Sequence, residues 1–169
     1  MKAILRTVDA INDGVGKAAC WLCPALVLLI TLEVTRRFVF NSPSMWAFET
    51  AMMIGATTYV FGWAYVHRHR AHVRVDVFYA HLPRRGRALI DVLGNIFIFS
   101  PFIILLTIAA VNKTKYSWAV NEKMTETTWY PPFAPLRTVI AIALILLLLQ
   151  GAANFIRDLH FLIRNRPYD

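Results

Sequence analysis

The apolar residues of this chain fall into four blocks separated by clusters of charge. These blocks cover residues 18–32, 50–66, 92–112 and 138–156, which run for 15, 17, 21 and 19 residues without a charge. A helix needs roughly 20 such residues to cross the hydrocarbon core of a bilayer. Barrel strands would alternate in polarity, which these blocks do not. We therefore predict an all-α integral membrane protein, a single domain over 1–169, with four transmembrane helices over about 18–40, 46–66, 90–112 and 138–156.

The segment 1–17 precedes the first block. Its apolar residues Ile4, Val8, Ile11 and Val15 recur at helical spacing, which predicts a short amphipathic helix on the membrane surface. A polar tail without regular structure is the alternative. The pattern alone leaves both open.

Composition and charge agree with a membrane protein. The chain is 57% hydrophobic with a mean hydropathy of +0.49 and a net charge of +8. If the N-terminus is inside, 12 of the 18 Lys and Arg residues face the cytoplasm. The positive-inside rule then predicts an N-in, C-in orientation. We interpret the basic charge as an orientation signal and a contact with lipid headgroups, not as a nucleic-acid site.

The predicted cytoplasmic loop between the second and third spans holds much of this charge. The alternation over 72–77 is typical of a strand, but a strand there has no partner. We favour a short surface helix that begins at Asp76. The candidate inner-leaflet residues of this loop are Arg68, Arg70, His72, Asp76, Arg84, Arg85 and Arg87.

Two acidic residues lie at the predicted outer edge of the membrane, where ionisable groups are functional candidates. Glu33 precedes Arg36 and Arg37 by three and four positions, which predicts an intramembrane ion pair on one helix face. Glu49 falls in the first turn of the second span, beside Trp46. It is either a solvated cap or one half of a fixed ion pair. In the second case its partner is Arg36, Arg37 or a basic residue of another subunit.

The second span also carries a stripe of small residues. Ala51, Gly55, Thr58 and Gly62 share one helix face. Such stripes allow another helix to approach closely. The pattern does not say whether that helix belongs to this chain or to another protein.

No cofactor, metal or catalytic residue is predicted. Haem would need histidines facing each other inside the bundle, but four of the five histidines lie in or beside the second loop and His160 lies in the tail. Cys20 and Cys23 form a C-x-x-C within the first span, where the thiolate is disfavoured. A membrane anchor of an electron-transfer complex and a stand-alone exporter remain as alternatives.

One combination of motifs resembles a known family. The run 42–49, with Trp46 and Glu49 opening the second span, is followed by Gly62, by the run 72–76 and by Leu82-Pro83. Their order around four spans is similar to the DctQ-type small membrane subunit of TRAP (tripartite ATP-independent periplasmic) transporters. Phe48 departs from this pattern, because members often have two adjacent acids at positions 48 and 49.

This resemblance implies a bacterial inner-membrane subunit of a sodium-driven transporter that takes up an organic acid. The implied partners are a large DctM-type permease subunit, which carries the sodium and substrate sites and moves as an elevator, and a periplasmic substrate-binding protein. The small subunit would enlarge the static scaffold. Whether it also contacts the binding protein stays open, and so does the substrate.

Overall fold

The computed structural model describes residues 2–69 and 83–164. This part of the chain is helical and contains no β-strand, only an isolated bridge between Lys123 and Pro132. The all-α prediction is therefore confirmed. The helices are α1 (Lys2–Cys20), α2 (Leu22–Phe38), α3 (Ala47–Arg68), α4 (Arg84–Gly94), a π-helical segment (Asn95–Phe99), α5 (Ser100–Ala119) and α6 (Ala134–Arg164).

The first apolar block does not form one unbroken helix with the residues before it. The chain turns at Trp21, between α1 and α2. Pro24 lies three positions later, in the first turn of α2. Its ring has no N–H and clashes with the carbonyl four residues earlier, that of Cys20. This explains why α1 ends at Cys20.

The third apolar block contains a π-helical segment directly before Pro101. The backbone N–H of Ser100 donates to the carbonyl of Asn95, five residues back. The sequence predicts a bend at Pro101, because a proline removes one bond of the α-helical ladder. The wider π-helical turn accommodates the proline in the first turn of α5. The helical stretch is unbroken over Arg85–Ala119.

Three helical stretches are long and apolar enough to cross a membrane, namely Lys2–Phe38, Arg85–Ala119 and Ala134–Arg164. Helix α3 is not among them. Its threonines, glycines, tyrosines and tryptophan make it less apolar than the other three. A count of four spans and the N-in, C-in orientation stay predictions.

Helix α6 is the centre of the bundle. At 31 residues it is about 46 Å long, well beyond the roughly 30 Å of a hydrocarbon core. It contacts α1, α3, α4 and α5. The buried core joins Leu144 and Leu147 of α6 to Ala64 of α3 and Ile103 of α5.

The two N-terminal helices pack differently. Helix α1 buries Leu5, Asn12, Gly16 and Ala19 and contacts α3 and α6, so residues 2–20 form a packed helix and the alternative of an irregular tail is wrong. Helix α2 buries no residue. It lies at the edge of the bundle, where it contacts α3 and α1.

Candidate functional site

The bundle has two ends with different chemistry. The loop end is formed by residues 39–46 and 120–133, which connect α2 to α3 and α5 to α6. The terminal end is formed by α1 and the C-terminal parts of α3 and α6. Each end contains buried polar side chains that join elements far apart in the sequence. No hydrophobic pattern could have located those contacts.

Glu49 is the buried carboxylate of the loop end. Its side chain is 0% exposed, so its interpretation as a solvated cap is wrong. Oε1 accepts a hydrogen bond of 2.9 Å from the backbone N–H of Thr127. Oε2 has no hydrogen-bond partner among the described residues, and no Lys or Arg of that part of the chain forms an ion pair with Glu49. The structure therefore gives Glu49 a backbone donor where the sequence predicted a cation or water.

Trp46 occupies the position before α3 and fixes its first turn. Its carbonyl accepts hydrogen bonds from the N–H (3.1 Å) and the hydroxyl (2.8 Å) of Thr50. The neighbouring Met45 accepts a bond of 3.0 Å at Sδ from the hydroxyl of Thr128. Together with the Glu49 contact, this joins the start of α3 to the 120–133 loop.

Glu33 organises the connection from α2 to α3. Its Oε1 accepts a bond of 3.3 Å from Arg37 Nη2, one turn later on the same helix. Both carboxylate oxygens also accept from the backbone N–H of Ser44, at 3.1 and 3.3 Å. The structure thus brings Glu33 and Arg37 together, whereas it shows no such bond from Arg36. The Ser44 contact was missed, because no sequence pattern marks a backbone donor eleven residues away.

The 120–133 loop is a short hairpin with its own ion pair. Met124 N–H donates to the carbonyl of Pro131 (2.9 Å), and Phe133 N–H donates to that of Glu122 (2.8 Å). Arg137 donates two bonds to the Glu122 carboxylate, at 2.6 and 2.7 Å. These bonds from Arg137 hold the pKa of Glu122 below its usual range.

The start of this hairpin is defined by the end of α5. Asn121 has a φ of 49°, in the left-handed region that asparagine tolerates better than most residues. Glu122 N–H bonds the carbonyl of Ser117 at 3.0 Å. This six-to-one bond is the mark of a Schellman cap. The cap turns the chain so that Glu122 faces Arg137.

At the terminal end, a buried amide pair joins α1 to α6. Asn12 Nδ2 donates to Gln150 Oε1 at 2.7 Å. Gln150 Nε2 in turn donates to Asp9 Oδ1 (3.0 Å) and to Asn154 Oδ1 (3.4 Å). Asn154 Nδ2 donates to the backbone carbonyl of His67, at the C-terminal end of α3 (3.0 Å). One amide network therefore connects α1, α3 and α6.

Ion pairs surround this network. Arg157 of α6 donates to both oxygens of Asp9, at 2.6 and 3.3 Å. Arg68 of α3 donates to Asp13 at 2.6 Å, and His69 Nε2 lies 3.0 Å from the same oxygen. The acids of α1 thus neutralise the basic ends of α3 and α6.

The structure places Arg68 in this ion pair, with a side chain 25% exposed, and its predicted position at the inner leaflet stays a prediction. Arg84, Arg85 and Arg87 lie in the first turn of α4. The remaining residues of the predicted inner-leaflet set, Arg70, His72 and Asp76, lie outside the described residues, as does the surface helix predicted to begin at Asp76.

Close helix approach occurs at glycines that the sequence analysis missed. A Cβ at Gly16 of α1 would lie 2.6 Å from Cβ of Tyr65 on α3. A Cβ at Gly151 of α6 would lie 3.0 Å from Cζ of Phe99 and closer still to its Cε1. Only a residue without a side chain fits at these two positions.

Among the described residues, the predicted small-residue stripe on α3 shows no such close approach. A Cβ at Gly55 would meet only Leu26 Cδ2, at 3.9 Å, and a Cβ at Gly62 would meet nothing within 4 Å. Ala51, Gly55, Thr58 and Gly62 are each half-buried. The stripe therefore retains room for another helix at Gly62, whereas Ala51 and Gly55 face α2.

A comparison with known protein families shows to which family this chain belongs. Residues 26–161 match the family model described as tripartite ATP-independent periplasmic transporters, DctQ component. The chain belongs to the DctQ family. The match begins within α2 and runs almost to the end of α6, so it includes Trp46, Glu49 and the 120–133 loop. No curated protein matches the sequence.

Membership in the DctQ family makes this chain a component of a transport system and not an enzyme. Together with its long apolar helices, it also makes the chain a membrane protein. All of α1 precedes the matched residues. Asp9, Asn12 and Asp13 therefore lie outside the matched segment, while their partners Arg68, Gln150 and Arg157 lie inside it.

Proposed function

We propose that this chain is the small scaffold subunit of a sodium-driven TRAP transporter for uptake of an organic acid. In this role it supports a large DctM-type permease subunit in a bacterial inner membrane. The observation that carries the proposal is the DctQ match over 26–161. The contacts described above supply the physical reason for a static role.

A scaffold has to keep its shape while its partner moves. Both ends of this bundle are held by buried hydrogen bonds between distant elements, Glu49 to Thr127 at the loop end and Asn12 to Gln150 at the terminal end. Breaking one such bond leaves a buried polar group unsatisfied, at a cost of about 1–3 kcal/mol. A rearrangement of the helices would break several of these contacts at once. The geometry therefore favours a rigid support.

The proposed permease interface is the stripe on α3. Among the described residues, Gly62 has open space where a side chain would begin, and Gly55 meets only Leu26 Cδ2, at 3.9 Å. Small residues allow two membrane helices to pack closely. Trp46 and Glu49 stabilise the loop-end turn of the same helix. The other small-residue contacts, at Gly16 and Gly151, are already filled by Tyr65 and Phe99.

The proposed docking face for the periplasmic substrate-binding protein is the 120–133 loop. Its backbone bridge, its Glu122–Arg137 pair and its bond to Glu49 give it a fixed shape. Trp129 and Tyr130 on this loop are about half exposed. Aromatic residues on a rigid frame are typical of interface anchors. This assignment places the loop end on the periplasmic side, in agreement with the N-in, C-in prediction.

Reconstitution tests the function directly. The chain should give no uptake in proteoliposomes by itself or with the binding protein. Sodium-dependent uptake should appear when the large permease subunit and the binding protein are added, with a panel of dicarboxylates, keto acids, sialic acid and sulfonates as substrates. Uptake by this chain alone would contradict the proposal, and so would undiminished uptake when this chain is left out.

A variant pair tests the interface. Gly62→Leu should weaken co-purification with the permease subunit in mild detergent while leaving the isolated chain folded, because a Cβ at this position meets no described residue within 4 Å. Leu28→Phe on the exposed face of α2 is the control, since it also adds bulk to a lipid-facing position. If both variants co-purify equally well with the permease subunit, the stripe is not part of the interface.

A further inference from the structure

Helices α2 and α3 enclose a narrow groove that no contact within the described residues fills. Its apolar walls come from Leu29, Val34 and Phe38 of α2 and from Phe48 and Met52 of α3. Glu33 and Arg37 are its polar members; Arg37 lies near the Phe38 end, and Glu33 lies one helix turn further in. Its volume of about 410 Å³ falls within the roughly 300–1,000 Å³ of ligand pockets.

The α2–α3 groove has the length and lining of an acyl-chain site. It extends from Leu29 to Phe38, about 13 Å along the helix axis at 1.5 Å per residue. Its lining is apolar apart from Glu33 and Arg37. An apolar groove that ends beside a guanidinium matches a hydrocarbon chain that ends in a phosphate headgroup.

The polar end of the groove supplies charge for a headgroup. The Arg37 side chain is 58% exposed and makes one bond, of 3.3 Å, to Glu33. A guanidinium has five N–H donors, so most of its donors remain available for phosphate oxygens, which it binds in a bidentate manner. Arg36 is the next residue before it on α2 but does not line the groove, so the Arg37 guanidinium is the positive group that the groove itself offers.

We propose that the α2–α3 groove binds one acyl chain of a bilayer glycerophospholipid whose phosphate lies on Arg37. Helix α2 buries no residue of its own and contacts the rest of the chain mainly through α3. A lipid in this groove fills the gap between the two helices and stabilises α2 against the bundle. The site belongs to this chain by itself and does not depend on the proposed transport function.

The test uses the full chain, purified in mild detergent and stripped of lipid, with native mass spectrometry as the readout. The probes are dioleoylphosphatidylglycerol and dioleoylglycerol, which share their acyl chains and differ in the phosphate. The phospholipid should give about tenfold more adduct at equal concentration, the effect of one charge-assisted hydrogen bond. Arg37→Gln should remove that preference. Equal adducts with both probes would overturn the phosphate assignment.

Two tryptophan substitutions locate the lipid. Val34→Trp fills the groove and should lower the phospholipid adduct about tenfold, whereas Leu28→Trp, on the exposed face of the same helix and outside the groove, should leave it unchanged. Gel filtration and thermal melting establish that both variants fold, and Met52→Trp repeats the test from α3. Equal adducts in the Val34 and Leu28 variants would show lipid held only nonspecifically around the protein. A photo-crosslinker at position 34 that reacts with a partner protein in the assembled complex would also overturn the proposal.

Discussion

The side-chain amide of Asn12 donates a hydrogen bond of 2.7 Å to Oε1 of Gln150, across 138 positions of sequence. The two residues are 1% and 0% exposed. Through this bond the N-terminal helix becomes part of the bundle. A buried amide needs a polar partner at one defined position, so the pair also fixes the register of α1 against α6.

The Asn12→Leu variant should lower the stability of the chain. The substitution keeps the approximate volume but leaves Oε1 of Gln150 without its donor, which should cost about 1–2 kcal/mol, as interhelical hydrogen bonds in membranes do. The measurement is the unfolding midpoint in detergent. Thr7→Val is the control, because Thr7 is exposed and bonds only within its own helix. If both variants have the same unfolding midpoint, the amide pair contributes nothing to stability.

The two glycines of α1 should respond in opposite directions to alanine. A Cβ at Gly16 would push Tyr65 of α3 away, and such overpacking should cost about 1–3 kcal/mol. A Cβ at Gly14 would meet nothing within 4 Å. Gly14→Ala should therefore raise helix stability by about 0.8–1 kcal/mol.

Thermal unfolding of the two glycine variants, side by side, distinguishes these effects. Because both substitutions lie on one helix and make the same chemical change, only their surroundings differ. A Gly16→Ala variant as stable as Gly14→Ala would mean that α1 does not pack on Tyr65 in the way described.

The sequence predicted the helical class and the approximate helix positions because these depend on apolar length, which is a local property. It missed the turn at Trp21 and the π-helical segment before Pro101, although both prolines were visible. A proline shows that the α-helical ladder is interrupted. Whether the chain turns, kinks or widens its helix depends on how neighbouring helices pack there.

The candidate site residues divide in the same way, into local contacts that sequence spacing predicts and distant contacts that it does not. The Glu33–Arg37 contact is one helix turn long, and spacing alone suggests it. The partners of Glu49 and Asn12 are Thr127 and Gln150, which are distant in sequence and of types that carry no periodic signal. The α3 stripe was visible as a pattern, but only the surroundings of its glycines show that Gly55 faces Leu26 of α2 while Gly62 meets no described residue within 4 Å.

The hairpin at 120–133 should loosen in acid. Hydrogen bonds from Arg137 lower the pKa of Glu122, so the ion pair stabilises the folded hairpin fully above the ordinary carboxylate value of about 4.3. That stabilisation should be lost as the pH falls through the lowered pKa. Glu122→Gln should lack this dependence, because its amide carries no charge to titrate.

A spin label reports this loosening. Thr125→Cys places a label on an exposed residue of the hairpin, in a variant whose two native cysteines, Cys20 and Cys23, are replaced by serine. Its mobility should be constant from pH 7 to about pH 5 and should rise below about 4.3. The same label in Glu122→Gln should show no such step. A step of equal size in both proteins would assign the transition to another group.

The bond from Thr127 N–H to Glu49 should control access to the hairpin. Glu49→Leu removes the only acceptor that the structure gives this N–H, whereas Glu49→Gln keeps a carbonyl oxygen in its place. Loss of one hydrogen bond to a charged group should raise the open population of the hairpin about tenfold. Trypsin cleavage after Lys123 measures that population when opening is fast relative to cleavage. Cleavage should therefore be about tenfold faster in Glu49→Leu and closer to the native rate in Glu49→Gln.

Glu126→Leu is the matched control for Glu49→Leu. Glu126 lies on the same loop and its side chain is exposed. This variant therefore removes a negative charge without removing a buried contact. Its cleavage after Lys123 should stay at the native rate, because the contact between the loop and α3 is intact. If Glu126→Leu is cleaved as fast as Glu49→Leu, the open population of the hairpin depends on the negative charge near the loop and not on the bond from Thr127 to the buried Glu49. If Glu49→Gln is cleaved as fast as Glu49→Leu, the carboxylate holds the hairpin by its charge and not by the single acceptor at Oε1.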